Sequence, residues 1–215
     1  MITIDDKNIV IDSGPDFRQQ MLRENVSHLE GLIFTHEHKD HIAGMDDIRA
    51  FNFHQREKVN IYATERVQEA LQREYVYIFN GDNYPGIPQI KMHTIGNDKF
   101  EVAGIQVTPI KVFHYKLPVL GFRIGDFTYI TDANYITNKE KDKIKGSKIV
   151  VINALRKEEH VSHFTLDEAV ALMEELNPTY AFLTHISHQL GKHEDVNKEL
   201  PDFIRCGYDG LKIKL

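Results

Sequence analysis

A chain of 215 residues, 41% of them apolar, can build one domain with a real core. Its formal charge of -6 argues against long nucleic-acid strands as partners, because basic surfaces that displace counterions hold those. No apolar run approaches the roughly 20 residues of a membrane span, the start Met1-Ile2-Thr3-Ile4 lacks the parts of a signal peptide, and the lone Cys206 excludes an internal disulfide framework.

These features predict a single cytoplasmic domain over 1–215 with a small-molecule substrate. Ile2–Ile4 and Ile9–Ile11 read as strands around a turn at Asp5–Asn8. Pro15 to Asn25 reads as a short helix with Phe17, Met21 and Leu22 on one face, and Leu32–Phe34 as a buried strand. Residues 41–54 carry Ile42, Met45, Ile48 and Phe51 at helical spacing. A strand at Val59–Tyr62 and a helix over Glu65–Tyr77 follow, then turn chemistry at Asn80–Gly86 that predicts an exposed loop.

Strands are predicted at Ile90–Ile95, Phe100–Val102, Ile105–Val112, Leu120–Ile124, Phe127–Thr131 and Ile149–Ile152. The lysines of 139–148 alternate with Glu140 and Asp142, the pattern of a solvated helix. Thr165-Leu166-Asp167-Glu168 is a capping box that opens a helix to Leu176. A strand at Ala181–Thr184, a helix over 194–203 and a last strand at Leu211–Leu215 complete the chain. Two sheets stacked face to face with helices outside would bury such a set, with chemistry on the loops of one rim.

The densest chemistry is Thr35-His36-Glu37-His38-Lys39-Asp40-His41. In an extended segment 36, 38 and 40 point to one side, and His41 falls where the chain must turn. Nitrogen and oxygen donors converging this way suit zinc, manganese or iron. A solvated polar loop is the alternative, but loops favour Asn, Gly, Ser and Pro rather than this pattern. More ligands must come from elsewhere, and a His or Asp directly after an apolar strand sits at a sheet rim. His114, Asp132 and His185 satisfy that rule. Taken alone each reads better otherwise, His114 as an edge histidine, Asp132 as a helix or turn cap and His185 as a core histidine; their shared placement with the first cluster favours one site.

This ordered set, Thr-His-x-His-x-Asp-His, a lone His, Thr131-Asp132 and Leu183-Thr184-His185, resembles the metallo-β-lactamase superfamily. The resemblance implies an α+β fold, a four-layer αββα sandwich of two mixed sheets with helices on the outer faces. It also implies two divalent metals, zinc or manganese with iron as a further option. His36, His38 and His114 would bind the first, Asp40, His41 and His185 the second, with Asp132 bridging both. Members that hydrolyse β-lactams typically carry Cys at the bridging position, so Asp132 points to the phosphodiesterase, nuclease and thioesterase branches.

Ile11–Phe17, Gly44–Phe51, Ser162–Glu168 and Leu183–His188 are similar to the cyclic phosphodiesterases of the carbon–phosphorus lyase pathway and their relatives. That similarity implies hydrolysis of a small phosphodiester, cyclic ones included, by a metal-bridging hydroxide. Asp40 and Asp132 would steer the hydroxide, and His163 would contact the phosphate or protonate the departing oxygen. Asp12 would hold a metal-bound histidine or a turn. His160 reads as an ordinary polar residue, and Arg49 and Arg156 as phosphate contacts or surface ion pairs.

Relatives of this kind begin with a Gly-rich strand and three cysteines that bind a structural zinc with a histidine at the place of His188. Those cysteines are absent, which predicts either a shortened natural form or a gene start placed late, with His188 free or hydrogen-bonded. The sheet edge left open would be covered by a homodimer. The rival functions are a thioesterase of glyoxalase II type, an RNA-processing nuclease and a non-catalytic metal-binding homologue.

Overall fold

The computed structural model describes residues 1–80 and 86–215, so most of the loop expected at Asn80–Gly86 lies outside the described residues. The chain groups into two compact units, Met1–Ile105 and Gln106–Leu215.

In the first unit, β1 (Ile2–Ile4) and β2 (Lys7–Ile11) form an antiparallel hairpin. Its corner residues Asp5 and Asp6 both take left-handed backbone angles, φ 48° and 61°, matching the right-handed twist of paired strands. β3 (Gly31–Ile33), β4 (Val59–Ala63) and β5 (Ile90–Thr94) then add in parallel, giving the order β1-β2-β3-β4-β5.

Parallel neighbours need crossovers. Helix α1 (Phe17–Arg23) connects β2 to β3. Helix α2 (Lys39–Ile42), a 3-10 turn at Met45–Ile48 and helix α3 (Arg49–Gln55) connect β3 to β4. Helices α4 (Glu65–Glu74) and α5 (Val76–Phe79) precede β5, and a short strand β6 (Phe100–Val102) follows it.

Three helical expectations are corrected here. Leu22 is 65% exposed, since in so short a helix only Phe17 and its i+4 partner Met21 face inward. The helix expected over 41–54 is broken at Gly44. Its N–H donates to the Ser13 carbonyl at 2.7 Å, and a Cβ there would stand 2.4 Å from the Gly14 oxygen. The apolar spacing survives the break, for Ile42, Met45, Ile48 and Phe51 are all buried. The helix expected to Tyr77 pauses at Tyr75, whose φ of -119° is not helical.

The second unit opens with an antiparallel meander of β7 (Ile105–His114), β8 (Leu117–Ile124) and β9 (Phe127–Tyr129). The two-residue strand β10 (Tyr135–Ile136) pairs β7. β11 (Ile149–Asn153), β12 (Tyr180–Thr184) and β13 (Ile204–Cys206) extend β9 in parallel, in the order β10-β7-β8-β9-β11-β12-β13.

Helix α6 (Asn138–Ile144) carries Lys139, Lys141 and Lys143 of the lysine run and is solvated on one face only: Glu140 pairs Lys143 at 2.8 Å but is buried and accepts from Lys111 N at 2.8 Å. Helix α7 (Leu166–Leu176) has the expected capping box. Thr165 Oγ1 accepts from Glu168 N at 3.2 Å, and Glu168 Oε2 accepts from Thr165 N at 2.8 Å.

Helix α8 (His193–Glu199) ends four residues before the expected 203. Leu200 is already extended, as a residue before proline prefers. The last strand is β13, with Ile204 and Cys206 buried around exposed Arg205, and Leu211–Leu215 is not a strand. Both units thus hold a mixed sheet with helices, the α+β class expected. No helix among the described residues is long and apolar enough to cross a membrane.

Candidate metal centre

In the first unit the ligand motif leaves β3 through buried Thr35 and His36. His38 is still extended, φ -62° and ψ 149°, and caps α2, so Asp40 and His41 lie on one helical turn. This corrects the picture of 36, 38 and 40 alternating along a strand: the extended stretch ends at His38. The turn gathers the donors instead. Ring centroids stand 4.6 Å apart for His36–His38 and 4.1 Å for His36–His41, and Asp40 Oδ2 is 3.4 Å from His41 Nε2.

Asp12 organises this cluster from just beyond β2. Its carboxylate accepts from Thr35 N and from Thr35 Oγ1, both at 2.8 Å, and from His41 Nδ1 at 2.7 Å. The Thr35 hydroxyl, having given its proton to Asp12, accepts from His36 Nδ1 at 3.0 Å. One carboxylate therefore fixes two imidazoles in the tautomer whose Nε2 carries a lone pair, the arrangement that metal-binding histidines need. Gly14 completes the packing, since a Cβ there would sit 2.7 Å from the Asp40 carbonyl oxygen. The motif's spacers face α4: Glu37 pairs Arg66 at 2.5 Å and Lys39 pairs Glu74 at 2.9 Å.

In the second unit His114 ends β7 and donates from Nδ1 to the Ser162 carbonyl at 2.8 Å, again leaving Nε2 as the lone-pair nitrogen. Asp132, 2% exposed, is held at φ 53°. Its Oδ2 accepts from Thr131 Oγ1 at 2.7 Å, while Oδ1 lies 3.1 Å from His185 Nε2 and 3.8 Å from His163 Nδ1. The buried Asn153 amide clamps the next residue, accepting from Ala133 N at 2.8 Å and donating to Ala133 O at 2.9 Å.

His163 is the hub of the imidazoles, with ring centroids 4.5 Å from His114, 4.8 Å from His185 and 5.0 Å from His160. Burial pushes its pKa down to about 4 against the opposing pull of the Asp132 carboxylate, so the ring is neutral at pH 7. His160 is likewise lowered, by burial first and by the Arg156 charge second.

The donor set passes a chemical test for a transition-metal site. Neutral imidazole nitrogens in fixed tautomers and a buried carboxylate are what zinc, manganese or iron take. Among the described residues of the second unit, His114, Asp132 and His163 offer ligand atoms that lie within 4.8 Å of one another. The structure gathers His36, His38, Asp40 and His41 in the first unit and His114, Asp132, His163 and His185 in the second.

Other expectations fare differently. Arg49 stands 3.8 Å from Asp46, a surface pair. The Arg156 guanidinium is committed to Glu158 O, Glu159 O and Gln189 Oε1 at 3.3, 2.7 and 2.9 Å, which makes it a loop staple. His188 is exposed. Sequence reasoning missed the Thr35 hydroxyl, Asn153 and the Ser162 carbonyl. Thr35 was visible as the residue opening the motif; a carbonyl contact has no sequence signature.

Comparison with known proteins agrees with this fold. Residues 7–186 match the beta-lactamase superfamily domain. A protein described as a new diphosphatase from the PhnP family superposes with a TM-score of 0.92 at 34% identity, over 99% of this chain and 82% of that one. An octanoyltransferase of Porphyromonas gingivalis is 36% identical over 99% of this chain but 43% of its own length. Exodeoxyribonuclease YycJ of Bacillus anthracis is 24% identical over 70% of this chain and 55% of its own length. The chain therefore spans about half the length of these two curated relatives. It belongs to the metallo-β-lactamase superfamily and has that fold.

Proposed function

We propose that this chain hydrolyses small phosphodiesters, cyclic ones among them, with two divalent metals. His36, His38 and His114 would hold one, Asp40, His41 and His185 the other, and Asp132 would serve both. The observation that carries the reading is the Asp132 carboxylate, buried and set beside Thr131, His163 and His185 where β-lactam hydrolases of the superfamily would have a thiol. Bound there, divalent ions supply an acidified water as nucleophile and positive charge for the phosphoryl oxygens.

The chain's own groups do the rest. Asp12 and the Ser162 carbonyl keep His36, His41 and His114 in their ligating tautomer. Asp40, whose side chain is 58% exposed, accepts the proton of the attacking water. His163, neutral and buried, donates N–H to a phosphoryl oxygen as negative charge gathers there. Zinc and manganese both suit the donors, and metal analysis of purified protein decides between them.

Replacement His163→Ala is expected to keep the metal content and to lower turnover of a bis-aryl phosphodiester by about 100-fold. Unchanged turnover would remove His163 from the mechanism. A second reading, acyl transfer, is favoured only by the description of the P. gingivalis relative, a protein more than twice as long as the segment it shares. A thiol nucleophile would have to be Cys206, the sole cysteine. Cys206 is 3% exposed and burial raises its pKa, the opposite of an activated thiol.

A further inference from the structure

We propose that His160 is a second substrate-contacting imidazole, whose Nε2–H donates to an anionic oxygen of the phosphoryl group bound beside His163. This deepens the phosphodiesterase reading and rests on it. Three observations carry the inference.

The first is the tautomer. Ser162 N–H donates to His160 Nδ1 at 3.3 Å, and Ser162 Oγ lies 3.4 Å from the same atom. A ring nitrogen that accepts a backbone N–H carries no proton, so neutral His160 has its hydrogen on Nε2. Ser162 thereby sets two rings at once, since its carbonyl holds His114 Nδ1.

The second is position. The His160 ring stands 5.0 Å from His163 at 41°. It is half-buried where His163 is 7% exposed, which makes it the next donor outward from the buried hub.

The third is preorganisation. Leu155 N donates to Phe164 O at 3.0 Å and closes the loop that carries both rings, while Arg156 bonds the carbonyls of Glu158 and Glu159 inside it. Gln189 ties the same guanidinium to the segment after His185. A donor fixed by its own loop before substrate arrives spends little entropy on binding.

The test uses the full chain loaded with metal, inorganic phosphate as the probe of the anion contact, and a bis-aryl phosphodiester as substrate. His160→Ala is expected to weaken phosphate binding about tenfold and to raise KM by a similar factor. Metal content should not change, and kcat should stay within about threefold. His160→Gln places an amide N–H where Nε2 stands and should recover most of the loss. His160→Asn places its amide at the Nδ1 position and should not.

Rescue by Asn and not by Gln would overturn the proposal, because the ring would then serve only its own loop. Unchanged phosphate binding in all three variants would overturn it too, as would loss of metal from all three. If phosphate binding follows the expected order while no diester is hydrolysed, the His160 contact stands and the phosphodiesterase reading fails.

Discussion

Asp12 holds a left-handed backbone, φ 59°, and from that one position its carboxylate serves Thr35 twice and His41 once. Removing it frees two imidazoles to change tautomer, so Asp12→Ala is expected to weaken metal binding roughly 10- to 100-fold. Metal titration of the variant against wild type checks this, and equal affinities would refute it.

His163 gives a pH prediction. Unfolded, the ring titrates near 6.5; folded, it resists protonation until about 4. The unfolded chain therefore binds more protons between those values, and stability falls as pH drops through that window. The loss is on the order of 3 kcal/mol. Urea titration of metal-free protein at a series of pH values should show a shallower acid loss in His163→Leu than in wild type.

At this scale the side chains of the motif were legible because metal chemistry restricts residue type. The hydrogen bonds that orient them were legible only in part: Asp12 entered through the family similarity as a holder of a metal-bound histidine or a turn, whereas the Ser162 carbonyl and the Asn153 clamp depend on folded backbone.

Among the elements, the segment from α2 through the 3-10 turn to α3 shows what periodicity can and cannot say. Ile42, Met45, Ile48 and Phe51 are buried at helical spacing, yet the helix is interrupted because Gly44 must approach Ser13 and Gly14. That approach fixes the strand-end segment bearing Asp12 against the ligand turn, and no local pattern announces it. Gly44→Ala is expected to destabilise the fold by about 1–3 kcal/mol, since backbone and the Phe17 Cβ must shift. Equilibrium denaturation measures it, and a neutral result would show that the contact can relax.

The α7 capping box was read directly from Thr165 and Glu168, and Thr165→Ala should cost about 1 kcal/mol by the same measurement. The end of the chain was misread: Leu211–Leu215 alternates weakly and stays irregular, while β13 is a three-residue pair of buried side chains too short to stand out.

At the scale of the whole molecule, family membership rests on residues 7–186 and agrees with mixed sheets in both units. The motif order carried that identification from sequence, because candidate metal donors recurring in a fixed order after successive strands restrict the fold far more than propensity does. The metal and substrate follow from chemistry that several branches of the superfamily share, so activity is the decisive observable.

The most direct test sets a bis-aryl phosphodiester and ribose cyclic phosphates against a glutathione thioester, an octanoyl thioester and a β-lactam, with metal content measured on the same sample. We expect two divalent ions per chain and turnover confined to the phosphodiesters, abolished by a chelator and restored by zinc or manganese. Turnover confined to a thioester, or metal-loaded protein inert towards every substrate of the panel, would contradict the account.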